Sequence, residues 1–292
     1  MTIATVGLLH PGAMGVTVGV AVREPVRVVW ASEGRSRETR ARAAGSGFEE
    51  LGTLAAVTAA ADAVVSVCPP HGALALAEAV AATGFDGLYL DANAVSPATA
   101  IEIAEAAAAG GARFVDGGIV GPPAVRPGTT RLYLSGDAAA ELAALFEDSA
   151  LEAIDLDAEV GAASALKMCY AGFTKGSAAL LLSLRAAARA YGVEAGLLGE
   201  WRRSQRGLEK RSVRAAATAA PKAWRFAGEM EEIAATLEAA GLPDGFHRAA
   251  AEAYVRLAGF RGEPEGVPVD DVVAALLGDH PETKKGGPAG PP

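Results

Sequence analysis

Along the first half of the chain, short apolar runs ending in Gly, Pro or Asn alternate with alanine-rich stretches of helical spacing. "IATVGLL" (3–9) is apolar and β-branched, and a helical segment follows it from Gly12 to about Arg23. "VRVVWAS" (26–32), "DAVVSVCPP" (62–70), "DGLYLDANAVSP" (86–97) and "ARFVDGGIVGPP" (112–123) repeat the theme, with helical stretches over 72–84 and 97–111. Short buried strands alternating with helices predict a doubly wound, mostly parallel α/β sheet. Ligands bind beyond the carboxyl ends of such strands, so the polar punctuation after each run is where chemistry is expected. "TRLYLSG" (130–136) and "LEAIDLD" (151–157) read as two more strands flanking a helix. Then the character changes. Ala162 to Tyr191 contains no Pro and only Gly172 and Gly176 inside it, which predicts a connecting helix of roughly 45 Å. Further helices are expected around 195–215, 222–240, 244–259 and 268–277. The boundaries that follow are an α/β domain over 1–160, an all-α domain over 161–280 and a Pro/Gly-rich tail over 281–292, expected to be disordered.

Composition narrows the function. Of 292 residues 51% are hydrophobic, enough for a sizeable core, and the net charge of −9 argues against general nucleic-acid binding. The two cysteines, Cys68 and Cys169, fit neither a disulfide framework nor a metal spacing. His10, His71, His247 and His280 are scattered, so no metal is expected. "MTIATVGLL" lacks the basic region of a secretory leader, and "GSAALLLSLRAAARA" is broken by Arg185, too soon for a membrane span. A soluble, cytoplasmic protein is expected, with no membrane partner.

The first run leads into "HPGAMG" (10–15), which matches G-x-G-x-x-G except that His10 stands at the first glycine. A strand, a glycine loop and a helix start offer free N–H groups and a positive dipole end to a pyrophosphate. Gly12 would let backbone approach phosphate, Gly15 would let the helix pack closely, and His10, Pro11, Ala13 and Met14 complete the loop. The missing tight turn falls to "HPG", with Pro11 presetting φ and Gly12 free to take positive φ. An ordinary strand–turn–helix shares these features. About 20 residues on, where an NAD site places an acid, this chain has Ser32 followed by "EGRSR". Arg35 and Ser36 offer a donor fork and a hydroxyl to a 2′-phosphate, which favours NADP(H) over NAD(H). Glu33, which suits a ribose diol, speaks for NAD.

Four blocks in order resemble the β-hydroxyacid dehydrogenase superfamily: "GLLHPGAMG", "LDANAVSP", "VDGGIVGPP" and "GAASALKMCYAGFTKG". This superfamily includes the 3-hydroxyisobutyrate dehydrogenases and 6-phosphogluconate dehydrogenases and, more distantly, the imine reductases. "AWRFAGEMEEIAATLEAAGLPDGFHRAA" resembles a branch with a phosphogluconate-dehydrogenase-like C-terminal domain. The resemblance implies a Rossmann domain, a long helix, an all-helical domain that pairs into a homodimer, and hydride transfer between nicotinamide and a small substrate. It places the proton donor and acceptor at Lys167. Physics asks for the same group, because an ammonium stabilises the charge that grows on a carbonyl oxygen and supplies its proton. A snorkelling surface lysine is the bland alternative. Helical spacing puts Tyr170 and Thr174 near the face of Lys167 as substrate contacts, with Lys175 to one side. Cys68, Pro69 and Asn93 would border the cofactor, and Asn93, Gly118, Ile119, Val120 and Gly121 the substrate. An Asx turn is the other reading of Asn93.

The chain departs from that pattern in ways that bear on substrate. Tyr170 and Ala171 stand where the family has asparagine. Val120 and Gly121-Pro122 replace the serine and Gly-Gly that cradle a carboxylate. Asn93-Ala94 replaces Ser-Thr, and Glu231-Glu232 aligns with a lysine–aspartate pair. If Glu231 enters the site, it suits an amine better than an acid. Imine reduction and a non-catalytic NADP-binding sensor are therefore the alternatives. Arg202, Arg206, Lys210 and Arg214 recur every four residues, as a phosphate or carboxylate clamp or a solvated face.

Overall fold

The computed structural model describes residues 3–278. It divides into two compact units, residues 1–170 with 235–242, and residues 171–234 with 243 onward. The predicted tail, 281–292, lies outside the described residues.

The first unit is built on eight strands: β1 (Thr5–Leu9), β2 (Arg27–Trp30), β3 (Glu49–Glu50), β4 (Ala63–Ser66), β5 (Leu88–Asp91), β6 (Arg113–Val120), β7 (Thr130–Ser135) and β8 (Leu151–Asp155). Their order is β3-β2-β1-β4-β5-β6-β7-β8. All neighbours are parallel except β6 and β7, which pair antiparallel. The chain leaves β1 toward β2 on one side and reaches β4 on the other, so a crevice opens beyond the carboxyl ends of β1 and β4. Helices α1 (Gly15–Val20), α2 (Arg37–Gly45), α3 (Leu54–Ala60), α4 (Ala73–Ala81), α5 (Pro97–Ala109) and α6 (Ala139–Ala143) complete the unit. Consecutive strand residues alternate between two cores: Val65 and Leu90 pack with Val18 and Leu142 on one face, Val64 and Tyr89 with Val57 and Ile103 on the other. Both faces are covered, which is why these strands read as continuous apolar runs. The acidic pair of β3 has no such run to announce it.

Helix α7 (Ala162–Ala190) is 29 residues long, about 43 Å, and runs through both units. The second unit adds α8 (Glu194–Ser204), α9 (Leu208–Ala219), most of α10 (Ala223–Ala239), α11 (Gly245–Arg256) and α12 (Val269–Leu277). The helix expected over 195–215 is two helices, because Gly207 takes φ +94° and breaks the ladder between them. Gly172 and Gly176 let α7 approach α11: a Cβ at either would lie within 3.3 Å of a neighbouring side-chain atom, Phe246 and His247 among them. Buried Arg185 ties α7 to Glu194 at 2.7 Å and to Ser212 at 3.1 Å. No helix among the described residues is long and apolar enough to cross a membrane.

Candidate functional site

The loop after β1 is shaped by one backbone choice. His10, not Gly12, takes the left-handed conformation, with φ +69°. Histidine is among the few side chains that enter this region at modest cost, so the expectation of positive φ at Gly12 is corrected. The Gly12 N–H then bonds the His10 carbonyl at 2.6 Å, and the Val16 N–H bonds the Gly12 carbonyl at 3.0 Å. The regular helix starts only at Gly15 and ends at Val20, shorter than expected. Gly15 is sterically required: its Cβ would lie 2.3 Å from the His10 carbonyl oxygen. Gly12 faces open space, its nearest neighbour that same oxygen at 3.9 Å. Met14 packs its side chain on the core, while Ala13 stays exposed.

Beyond β2 the backbone turns inward. Ser32 is buried, and its carbonyl accepts from the Arg35 N–H at 3.1 Å and from Arg40 Nη2 at 2.7 Å. Ser36 caps α2, its hydroxyl accepting from the Thr39 N–H at 3.3 Å. That hydroxyl already serves the fold. The Arg35 guanidinium is partly buried and lies in the electrostatic field of both His10 and Cys68. Burial, then Arg35, lowers the His10 pKa to about 4, so its imidazole is neutral at pH 7. The buried side-chain atoms that lack a hydrogen-bond partner among the described residues include His10 Nδ1 and Arg35 Nε. Each is a buried polar atom that the fold leaves unsatisfied, which calls for an explanation. Sequence reasoning missed two more cations here. Arg42 Nε reaches the Pro11 carbonyl at 3.4 Å, and Arg40 Nε the Arg35 carbonyl at 3.4 Å. Their signal was the density of arginine in "GRSRETRAR" within an acidic chain.

A row of buried polar residues crosses the sheet below the crevice. Register aligns Ser66, Asp91, Asp116 and Ser135 on β4, β5, β6 and β7, all fully buried. Asn93 sits above Asp91 with every polar group in use. Its Nδ2 donates to Ser66 Oγ at 2.9 Å and to Asp91, its N–H bonds Asp91, and its Oδ1 accepts from the Cys68 N–H. Asn93, expected as a cofactor or substrate contact with an Asx turn as the other reading, clamps the tips of β4 and β5 and positions the Cys68-Pro69 segment. Burial raises the Asp91 carboxyl to about 7 and pushes the Cys68 thiol up to about 12.

Lys167 is placed by its own helix. Asp116 Oδ2 accepts from the Gly161 N–H at 3.0 Å, the Ser164 N–H at 2.9 Å and Ser135 Oγ at 3.1 Å, while Oδ1 accepts from Ser164 Oγ at 2.6 Å. This carboxylate staples the start of α7 to β6. Gly118 sets the spacing, since a Cβ there would lie 2.6 Å from the Ala163 carbonyl oxygen and 3.0 Å from Lys167 Cβ. Its place in the site is steric. The Lys167 ammonium then donates to the Ile119 carbonyl at 2.6 Å. Alternation along β6 puts the Val120 side chain on the face of Gly118, toward α7. Ile119 turns into the core, and Gly121 takes φ +132° against Thr129 and Thr130. Tyr170, which ends the first segment of the first unit, is exposed.

The remaining candidates belong to the second unit. Thr174 Oγ1 donates back to the Ala171 carbonyl at 3.3 Å. Glu231 is exposed and meets Arg248 at 3.4 Å. Lys175 forms a close ion pair with buried Glu229, so it is a structural charge there. The basic stripe is not continuous: Arg206 lies in the break between α8 and α9, and Arg202 pairs with Glu209 at 2.7 Å.

Comparison with known proteins agrees with this architecture. A domain of unknown function, DUF1932, matches residues 188–257. No curated protein matches the sequence. A conserved protein of unknown function, described as structurally similar to 3-hydroxyacid dehydrogenases, is 26% identical over 88% of this chain and 97% of its own, with a TM-score of 0.63. The 3-hydroxyisobutyrate dehydrogenase of Mycobacterium tuberculosis, solved with L-serine, is 17% identical over 94% of this chain and 99% of its own, TM-score 0.68. The reductive aminase of Aspergillus terreus, solved with NADPH and ethyl levulinate, is 19% identical over 93% and 99%, TM-score 0.55.

Proposed function

We propose, on the premise that this chain has the fold of the 3-hydroxyisobutyrate dehydrogenase-like proteins and carries their DUF1932 domain at residues 188–257, that it is an NADP(H)-dependent oxidoreductase. It acts at a hydroxyl or carbonyl carbon of a small substrate, with Lys167 as general acid and base. One observation carries this reading: the Lys167 ammonium is brought to the carboxyl edge of the same sheet whose first strand ends in the glycine loop. From β1 to β6 is three strand spacings, about 14 Å, a span that a dinucleotide lying across the edge covers.

The donor set fits such a cofactor. The His10–Gly15 loop is open at Gly12 and would hold the pyrophosphate. Arg35, with Arg40 and Arg42 behind it, supplies cationic donors for a 2′-phosphate, which favours NADP(H) over NAD(H). Cys68 and Pro69, held by Asn93, flank the nicotinamide end. When bound, nicotinamide donates or accepts the hydride. Lys167 neutralises the charge that develops on the substrate oxygen and delivers its proton, returning to the Ile119 carbonyl between turnovers. Gly118 and Asp116 keep that ammonium in register. Val120 lines this side with an apolar group where a carboxylate-binding serine was expected from the resemblance. That favours an apolar carbonyl compound over a short hydroxyacid, and it supports reduction of a C=N bond as the second reading.

The test is equilibrium binding of NADPH by its fluorescence, followed by turnover at 340 nm with aldehydes, hydroxyacids and cyclic imines. NADPH binding with turnover that Lys167→Met abolishes supports the proposal. Binding without turnover of any class turns the reading toward a nucleotide sensor, and absence of binding overturns it.

A further inference from the structure

His10 is the feature that the general scheme leaves unexplained. A glycine would make the same turn without strain, yet this chain places an imidazole there in the left-handed conformation. The side chain does not pack as an inert filler. Its Nδ1 is buried without a partner, and the one orphaned atom of Arg35, Nε, is likewise buried. The charged and titratable groups around it come from two other elements. Arg35 acts on it from the turn before α2 and itself feels Cys68 beyond the end of β4, while Arg42 of α2 bonds the carbonyl of the adjacent Pro11. Arg40 is turned away onto the Ser32 carbonyl and Glu50. Burial and Arg35 act on His10 against its protonated form, and the Leu9 backbone acts in its favour.

We propose that His10 and Arg35 form a phosphomonoester-reading site in which His10 takes up a proton from solvent when the 2′-phosphate of NADP(H) binds. The inference rests on the cofactor reading above and extends it. Without the phosphate, a cationic imidazole would sit beside the Arg35 guanidinium in a partly desolvated site, and both effects expel the proton. A phosphate dianion reverses both. It neutralises Arg35 and accepts hydrogen bonds from a protonated ring, in which both nitrogens are donors. Binding and proton uptake are then linked, so NADPH affinity gains up to about tenfold per pH unit of acidification across the range where only the complex is protonated. NADH brings no phosphate, so its affinity carries no such linkage to His10. The ring also discriminates: neutral, it presents a single N–H to NADH, and protonated, it forms an ion pair with the phosphate of NADPH.

The experiment is isothermal titration of NADPH and NADH into the full chain at pH 6.5, in two buffers of different ionisation enthalpy, which counts protons exchanged. The variants are His10→Asn, whose side chain tolerates the left-handed turn, and His10→Gly, which restores the standard glycine. Free 2′-phosphate itself titrates near pH 6, so the quantity read is the difference between proteins. Wild type is expected to take up about half a proton or more per NADPH beyond either variant, and the variants to lose NADPH preference over NADH by about tenfold. Equal proton counts in wild type and both variants, with both nucleotides bound, overturn the role of His10 and leave the cofactor reading standing. Equal uptake with NADH shows that the proton does not follow the phosphate, which also overturns it. Failure of wild type to bind either nucleotide overturns both readings.

Discussion

Gly118→Ala tests how Lys167 is positioned. The added Cβ would lie 2.6 Å from the Ala163 carbonyl oxygen, where ordinary contact begins at 3.4 Å, so α7 must retreat from β6 by about 0.8 Å. The obstacle is backbone, which a rotamer change cannot relieve. The same shift pulls Ser164 from Asp116 and moves Lys167 against the Ile119 carbonyl. Overpacking of this kind costs about 1–3 kcal/mol, or about 2–12 °C in Tm at about 2–4 °C per kcal/mol for a chain of this size. A displacement near 1 Å at an acid–base group lowers turnover by about a hundredfold. The nucleotide loop lies three strands away, so NADPH affinity should be unchanged. Thermal unfolding, NADPH titration and turnover of the best substrate from the panel read all three quantities. A variant that melts and turns over like wild type would show that Gly118 does not set the position of Lys167. Loss of NADPH binding in parallel with turnover would show that the damage is global.

Four further outcomes follow from the same geometry. Gly15→Ala, whose Cβ would lie 2.3 Å from the His10 carbonyl oxygen, should weaken NADPH binding tenfold or more at about 1.4 kcal/mol per decade, read by fluorescence titration; unaltered affinity would remove the loop from the site. Asp116→Ala strips four donors of their buried acceptor and should cost about 3–5 kcal/mol in urea unfolding. Asp91 is buried with its pKa raised to about 7, so the folded state keeps a proton that the unfolded state has released above about pH 4. That contribution to stability is present at low pH and lost as pH rises toward 7, a few kcal/mol in all; Tm measured from pH 5 to 8 should fall in wild type and stay flatter in Asp91→Asn. Phe173, Leu180 and Leu184 form an exposed apolar stripe on α7, so Leu180→Glu should convert the proposed homodimer to monomer by light scattering, and a monomeric wild type would contradict that assignment.

Much of this was legible before any coordinates. The strands announced themselves because both faces of the sheet are buried, and α7 because nothing in Ala162–Ala190 interrupts a helical stripe. Lys167 was singled out through resemblance and through the oddity of a charge in an apolar helix, and its role remains a proposal. Other parts were hidden because they depend on which backbone atoms meet. Nothing local in "HPG" says that His10 rather than Gly12 takes positive φ, or that Gly15 must lie so close to the His10 carbonyl that a Cβ has no room. The role of Asp116 joins residues 45 and 48 positions apart, beyond any motif. Arg40 and Arg42 were missed because only the path of α2 brings them to the Ser32 and Pro11 carbonyls. Ser36 and Asn93 were read as ligand contacts because their chemistry suits it, yet the fold engages both side chains.

The central claim is that the carboxyl edge of this sheet holds NADP(H) with its reactive end at Lys167. A crystal structure with NADPH tests it most directly. Phosphates are expected on the His10–Gly15 loop, the 2′-phosphate between His10 and Arg35, and the Lys167 ammonium within about 4 Å of a reacting atom placed at nicotinamide C4. A nucleotide bound elsewhere, or a nicotinamide ring with Val120 and the Ile119 carbonyl walling Lys167 off from it, would contradict the account.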